Sequence, residues 1–144
     1  MGADVDLLGY LQDPTSEIET WRAMIVPIRI GGGTRVKIAH AFSRGCPVIA
    51  TTLGAFGYDA VPGKHLLIAD SPVRLANACL SLIQDPAKGA GIASAAWDLF
   101  VTRWTWDAIA PAVRGVVEAV LAETRGLPAP VGEAATEAGH VEAR

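Results

Sequence analysis

A glycine-rich turn between two apolar segments is the feature that most constrains the fold of this chain. Met24–Pro27 is a short apolar run, and the triplet Gly31–Gly33 follows it closely. After a basic segment, a second apolar run begins at Val48. Short continuous apolar runs are typical of strands buried on both faces, and glycine permits backbone conformations that are closed to other residues. The pattern predicts a strand, a tight turn, a helix and a second, parallel strand.

The rest of the chain continues this alternation of strands and helices. The predicted strands are Val5–Leu11, Met24–Ile28, Val48–Thr51 and His65–Ala69. The predicted helices are a short one that follows the turn Asp13–Ser16 and ends near Ala23, and then Thr34–Arg44, Pro72–Gln84, Ala90–Arg103 and Thr105–Thr124. Apolar strands that alternate with helices specify an α/β fold, here a Rossmann-like, three-layer parallel sheet with helices on both faces.

The length of 144 residues allows one ordinary domain. We expect that domain to cover residues 1–125. From Gly126 onward the chain is rich in Ala, Glu, Gly and Pro and has almost no large apolar side chains, which predicts a disordered tail over residues 126–144.

Composition excludes several functional classes. A hydrophobic fraction of 51% with 19% charged residues describes a globular protein, and a net charge of −3 gives no general attraction to nucleic acid or anionic lipid. Cys46 and Cys79 lie in apolar surroundings without metal-ligand spacing, which favours free thiols in a reducing compartment. No signal peptide or membrane span is recognisable. We therefore expect a cytoplasmic protein with no metal and no cofactor.

The glycine turn has the residue types of a phosphate site. A helix that began at Thr34 would present unpaired N–H groups to an anion, and Arg29, Arg35 and Lys37 flank that point. Arginine grips phosphate oxygens with two donors, so the set suits a diphosphate. The spacing is neither that of a Walker loop nor that of the dinucleotide motif. A plain flexible turn is the alternative interpretation.

The helix after the turn has one polar face. Lys37, His40 and Arg44 share that face by helical periodicity, opposite Ile38 and Phe42. We expect Arg44 to be solvated and Lys37 to belong to the site. For His40 both interpretations stay open.

Four further residues favour structural roles. His65 opens a predicted strand and is expected to make a local hydrogen bond, with a site role as the second choice. Trp97, Trp104 and Trp106 have the spacing of helix-packing residues. Because the chain has no paired carboxylates at a defined spacing, no catalytic residue is assigned.

Several linked motifs closely resemble the C-terminal part of glycosyltransferase family 4, the group 1 glycosyltransferases. In order they are Val-Pro-x-Arg-x-Gly-Gly-Gly-Thr-Arg-x-Lys-Ile, Gly-x-Pro-Val-x-Ala-Thr, Leu-Gly-Ala and Gly-x-His-Leu-Leu-Ile-Ala-Asp, within residues 4–122. The resemblance implies a GT-B fold, in which the C-terminal Rossmann-like domain holds the nucleotide-diphosphate sugar and the N-terminal domain holds the acceptor.

The same resemblance assigns a set of donor-binding residues along the cleft. They are Arg29, Gly31, Gly32, Gly33, Thr34, Arg35, Lys37, His40, Thr52, Leu53, Gly54 and Ala55. The family commonly has glutamates where this chain has His40 and Phe56. A neutral histidine can bind a ribose hydroxyl but is not an anionic double acceptor.

The resemblance also implies that the chain is a fragment, or half of a split protein. It corresponds to part of a GT-B C-terminal domain, so we expect a missing N-terminal domain or a partner chain. Without its usual neighbours, Met24–Ile28 would be an exposed sheet edge through which the chain could self-associate.

Three functions remain open on the sequence alone. The first is glycosyl transfer from a nucleotide-diphosphate sugar, with the loop cations stabilising the departing diphosphate. The second is a non-catalytic remnant or interaction module of the same fold. A sugar epimerase, which shares the GT-B architecture, is a weaker third.

Overall fold

The computed structural model describes residues 5–124, which belong to two compact units that divide after Ile109. In chain order the elements are α1 (Thr15–Thr20), β1 (Met24–Val26), α2 (Val36–Phe42), β2 (Val48–Ala50), α3 (Thr52–Ala55), β3 (Leu67–Ile68), α4 (Pro72–Gln84), α5 (Pro86–Arg103) and α6 (Trp106–Thr124). The described part of the second unit consists of the α6 residues from Ala110 onward. The predicted tail, 126–144, lies outside the described residues.

The three strands form a parallel sheet in the order β1-β2-β3. Ile25 of β1 pairs with Ile49 of β2, and Ala50 of β2 pairs with Ile68 of β3. The central strand β2 is buried along its whole length. A strand buried on both faces needs a layer on each side, which is why its sequence is continuously apolar.

Two apolar clusters supply those layers. The first contains Ile18, Met24, Val26, Ile38, Ala41, Phe42, Cys46, Val48, Ala50, Tyr58, Leu66 and Ala96. The second contains Ile49, Ala69, Leu82 and Ile92. Helix α2 therefore packs on the cluster that holds Val48 and Ala50, and α4 contributes to the cluster that holds Ile49. Helix α5 contributes to both, with Ala96 in the first cluster and Ile92 in the second. This confirms the predicted α/β sheet with helices on both faces, as expected of a partial GT-B domain.

The predicted strand Val5–Leu11 is wrong. The segment has no regular secondary structure, and its apolar side chains are exposed, Tyr10 to 91%. An isolated extended segment leaves its backbone groups without partners, and within the described chain no strand lies beside it. The apolar residues are present, but the neighbouring strand that they require is not among residues 5–124.

The first strand, β1, is an edge of the sheet, as predicted. Met24 N–H donates to Pro47 O at 2.8 Å and Val26 O accepts from Thr51 N–H at 3.2 Å, so these two residues face β2. Ile25 lies between them and directs its own backbone groups to the open edge, with its side chain 45% exposed. Pro27 follows and has no N–H to offer a further strand. Self-association through this edge stays a prediction.

Several predicted boundaries shift because of local caps. Helix α5 begins at Pro86, four residues before the expected Ala90, because Asp85 accepts the N–H of Lys88 at 3.0 Å and proline suits the first helical position. The expected loop after β2 opens with the short helix α3. Helix α2 begins at Val36, later than the expected Thr34, because Arg35 has non-helical backbone angles.

The three tryptophans with predicted packing roles differ in burial, although their spacing is helical. Trp104 packs against Tyr58, with ring centroids 4.8 Å apart. Trp106 is 80% exposed and Trp97 is 44% exposed, so the packing prediction is wrong for Trp106 and holds only in part for Trp97. In α6 no described residue is buried. Periodicity identifies side chains that share a face, but not whether that face is covered.

His65 has the structural role that was predicted for it. Its Nδ1 accepts the N–H of Val61 at 3.0 Å, in the turn that leads to β3. The residue is buried, and this burial, together with the neighbouring charge of Lys64, lowers the pKa of the imidazole below its ordinary value of 6.5. The folded protein therefore favours the neutral ring, because a protonated Nδ1 could not accept the hydrogen bond.

We expect the free energy of unfolding to fall as the pH drops below about 6.5. In that range the unfolded chain binds a proton at residue 65 that the folded chain resists, so the contribution of neutral His65 is fully present above the unfolded pKa and is lost below it. Urea unfolding between about pH 5 and pH 7.5 measures this slope. His65→Asn keeps an acceptor near the Nδ1 position and should flatten this slope. An unchanged slope in His65→Asn would contradict the assignment.

Candidate functional site

The carboxyl ends of β1 and β2 bring two loops together. The loop after β1 contains the glycine triplet, and Thr51 and α3 follow β2. A cavity of about 470 Å³ lies between them, lined by Gly31, Gly32, Gly33, Thr34, Arg35, Leu53, Phe56, Gly57, Tyr58 and Trp104. A second cavity of about 470 Å³ is lined by Ile28, Arg29, Thr51, Thr52, Leu53, Phe56 and Asp70. Because Leu53 and Phe56 line both cavities, the two adjoin.

Arg35 is bound to the glycine loop itself. Its Nη1 donates to the carbonyl oxygens of Gly32, at 2.7 Å, and of Gly33, and its Nη2 donates to Gly31 O at 3.0 Å. The residue is 8% exposed, and its buried Nε has no partner among the described residues. The sequence favoured a guanidinium that grips phosphate, but the structure places these donors on the loop carbonyls.

Thr51 and Gly54 fix the distance between the two loops. Thr51 Oγ1 donates to Ile28 O at 2.5 Å and accepts the N–H of Gly54 at 2.9 Å. A Cβ on Gly54 would lie 2.6 Å from Val26 O, closer than real Cβ atoms approach an oxygen. Gly54 is therefore needed for the close approach of α3 to the end of β1, and not as a wall of either cavity.

The end of β3 is tied to α3 through Asp70. Its Oδ1 accepts the N–H of Thr52 and its Oδ2 accepts the hydroxyl of Thr52, both at 2.7 Å. These two donors lower the pKa of the Asp70 carboxyl below its ordinary value, so the group is a carboxylate at neutral pH. The hydroxyl of Thr52 is thereby committed to Asp70 at the rim of the second cavity.

Aromatic side chains line the same cavity as the glycines. Tyr58 donates its hydroxyl to Arg35 O at 2.8 Å and packs edge-on against Phe42, with centroids 6.0 Å apart. Burial raises the pKa of the Tyr58 hydroxyl, so it stays a donor at neutral pH. Phe56, in contrast, is 80% exposed. This aromatic lining combines a fixed ring, Tyr58, with a solvated ring, Phe56.

The comparison with protein families decides what kind of protein this is. The profile described as "Glycosyl transferases group 1" matches residues 1–85, more than half of the chain, and spans both loops of the cavity. The chain belongs to the group 1 glycosyltransferases. None of the curated proteins and none of the solved structures compared with it matches at a significant level.

This glycosyltransferase chain brings together only part of the predicted donor set. The first cavity gathers Gly31–Arg35 with Leu53, and the second gathers Arg29 with Thr52. The remaining predicted residues line neither of these cavities: they are Lys37 and His40, which are exposed on α2, and Gly54 and Ala55, which are the buried and half-buried residues of α3. Arg44 is exposed, as predicted.

Sequence reasoning missed several lining residues: Phe56, Gly57, Tyr58 and Trp104 in the first cavity, and Ile28, Thr51, Phe56 and Asp70 in the second. Gly57 and Tyr58 lie in the loop after β2, and that position at the carboxyl edge was a signal that could have identified them. Trp104 lies at the end of α5, and no local pattern connects it with the glycine loop.

Among residues 5–124, no group of three or more His, Cys, Asp or Glu side chains comes together in a way that could hold a metal ion. None of the helices in this part of the glycosyltransferase chain has the length and apolarity to cross a membrane.

Proposed function

We propose that this chain binds the diphosphate of a nucleotide-diphosphate sugar in the cavity lined by the glycine loop, as the donor-binding part of a glycosyltransferase. One observation carries the proposal. The loop after β1 and the turn after β2 line a single cavity at the carboxyl edge of a parallel sheet, in a chain of this family. Ligands of open α/β sheets bind at that edge.

The walls of the cavity suit the parts of such a donor. Its volume, about 470 Å³, lies in the range of small-molecule sites. Part of the lining is open glycine backbone beside the cation of Arg35, which suits phosphate, and part is aromatic, which suits a base or a sugar ring. Arg29 adds an exposed positive charge in the adjoining cavity. Two adjoining cavities match a ligand with a nucleoside at one end and a sugar at the other.

His40 is left out of the proposed site. The sequence kept a ribose contact open for this residue, but it is exposed on α2 and lines neither cavity. The acceptor is likewise not assigned to this chain, because the family resemblance implies that an N-terminal domain holds it. The proposal therefore concerns donor binding, with no catalytic residue among those described.

We expect Gly32→Asp to weaken nucleotide-diphosphate binding by roughly tenfold or more, because a carboxylate beside the diphosphate repels it. Gly32 has no positive φ, and a Cβ built there meets nothing within 4 Å, so the substitution should not disturb the fold. Calorimetric titration of the wild-type chain and the variant with UDP, GDP and ADP measures the change.

Gly91→Asp is the matched control. Gly91 is exposed on α5, also lacks a positive φ and also leaves a Cβ in open space. It should bind as the wild type does. If the wild type gives no saturable heat with any diphosphate, the non-catalytic remnant or interaction module becomes the better description. Equal affinities of Gly32→Asp and the wild type would show that the diphosphate does not bind beside Gly32.

A further inference from the structure

The carbonyl groups of the glycine loop converge on one side chain. The oxygens of Gly31, Gly32 and Gly33 all accept hydrogen bonds from the guanidinium of Arg35. The described peptide bonds are all trans, and in a trans peptide the C=O and the N–H point in opposite directions. The N–H groups that share these peptide units, those of Gly32, Gly33 and Thr34, therefore point away from Arg35.

Those three N–H groups are available to a ligand. None of them donates a hydrogen bond to any part of the chain that the structure describes. Gly31 and Gly33 have φ of 127° and 85°, and Gly32 between them has no positive φ. Alternation of this kind curves a segment so that successive N–H groups form a concave anion site. The same residues line the first cavity.

The charge of Arg35 is the second, independent indication. The side chain is more than nine-tenths buried, and its only hydrogen-bond partners among residues 5–124 are neutral carbonyls. A buried charge without a counter-ion is unfavourable, and an anion close to it relieves the cost. The guanidinium thus favours an anion on the side of the loop that faces the cavity.

We infer that Arg35 is a positioning residue, which holds the glycine carbonyls so that the N–H groups of Gly32, Gly33 and Thr34 bind a phosphate. The phosphate contacts the backbone, and the guanidinium acts through the loop and through its charge. The inference rests on the proposed function for the identity of the anion as the donor diphosphate. This positioning role and a direct guanidinium–phosphate contact predict different effects for Arg35→Lys.

The first experiment needs no ligand. Lysine keeps the charge of Arg35 but is a single point donor, so it cannot hold the three carbonyls. In Arg35→Lys the ¹H–¹⁵N heteronuclear NOE of residues 31–34 should fall toward the value of a flexible segment, while amides in β2 are unchanged. Arg44→Lys, an exchange at an exposed position, should leave the loop as it is. An equally ordered loop in Arg35→Lys would overturn the positioning role.

The second experiment adds inorganic pyrophosphate to the same labelled proteins. In the wild type the amide signals of Gly32, Gly33 and Thr34 should shift downfield on saturation, and Arg35→Lys should bind roughly tenfold more weakly or worse. A dominant shift of the Arg35 side-chain ¹⁵Nε signal, with nearly full affinity in Arg35→Lys, would instead show a direct contact and overturn the inference.

The two proposals fail separately. If pyrophosphate binds at the three amides but no nucleotide binds, the proposed donor function is wrong and the anion site stands. If nucleotides bind while the three amides stay unmoved, the donor function stands and the loop amides are not the phosphate site.

Discussion

Phe42→Ala is expected to lower the free energy of unfolding by about 3–5 kcal/mol. The ring is 0% exposed and belongs to the apolar cluster on the α2 side of the sheet. It also meets the edge of Tyr58, at 6.0 Å between centroids. Removing it leaves a cavity next to a residue that lines the proposed donor site. Urea unfolding at neutral pH measures the loss.

Phe56→Ala is the matched control for this prediction. The same side chain is removed from a position that is 80% exposed, so the expected change in stability is below about 0.5 kcal/mol. Because Phe56 lines both cavities, its loss should weaken nucleotide binding without weakening the fold. Equal stability losses in the two variants would show that Phe42 is not a core residue.

Gly54→Ala is expected to destabilise the protein by about 1–3 kcal/mol, as overpacked sites do. The added Cβ would lie 2.6 Å from Val26 O and 3.0 Å from Thr51 Oγ1. The first contact is with backbone, which cannot rotate away, so α3 must shift relative to β1. That shift would also break the hydrogen bond from Gly54 N–H to Thr51. Thermal and urea unfolding both measure the effect.

Gly91→Ala is the control for the glycine-to-alanine exchange itself, and its effect on the free energy of unfolding should have the opposite sign. Gly91 lies in the exposed interior of α5, with open space around a Cβ, so alanine should stabilise the helix by about 0.5–1 kcal/mol. If Gly54→Ala were also stabilising, the close approach of α3 to β1 would have to be abandoned, and with it the assigned role of Gly54.

The glycine loop shows which features of the site could be predicted from the sequence. Gly31 and Gly33 adopt φ values that other residues avoid, and this follows from their identity. The sequence also identified the cation at position 35, but it did not identify the groups to which this cation donates hydrogen bonds. Both phosphate oxygens and backbone carbonyls satisfy guanidinium donors, and only the path of the loop brings the three carbonyls within reach.

The exposed apolar residues show that a sequence pattern does not predict burial. The apolar side chains of Val5–Leu11 and the helical spacing of those in α6 indicate residues that these segments would bury against a partner. Neither pattern says whether that partner is present. In the described structure α6 is the predicted helix, whereas Val5–Leu11 forms no strand. In both segments the predicted burial is wrong, since Tyr10 is 91% exposed and Trp106 is 80% exposed.

The amino-acid sequence by itself determined the parallel α/β unit, its glycine turn and the family, because strand, turn and helix preferences act between residues close in the chain. The tertiary structure alone decided which side chains line the cavity. Tyr58 reaches Arg35 across 23 positions, and Trp104 joins them from the end of α5. Contacts of this kind depend on how separate elements pack against each other, and no local preference encodes them.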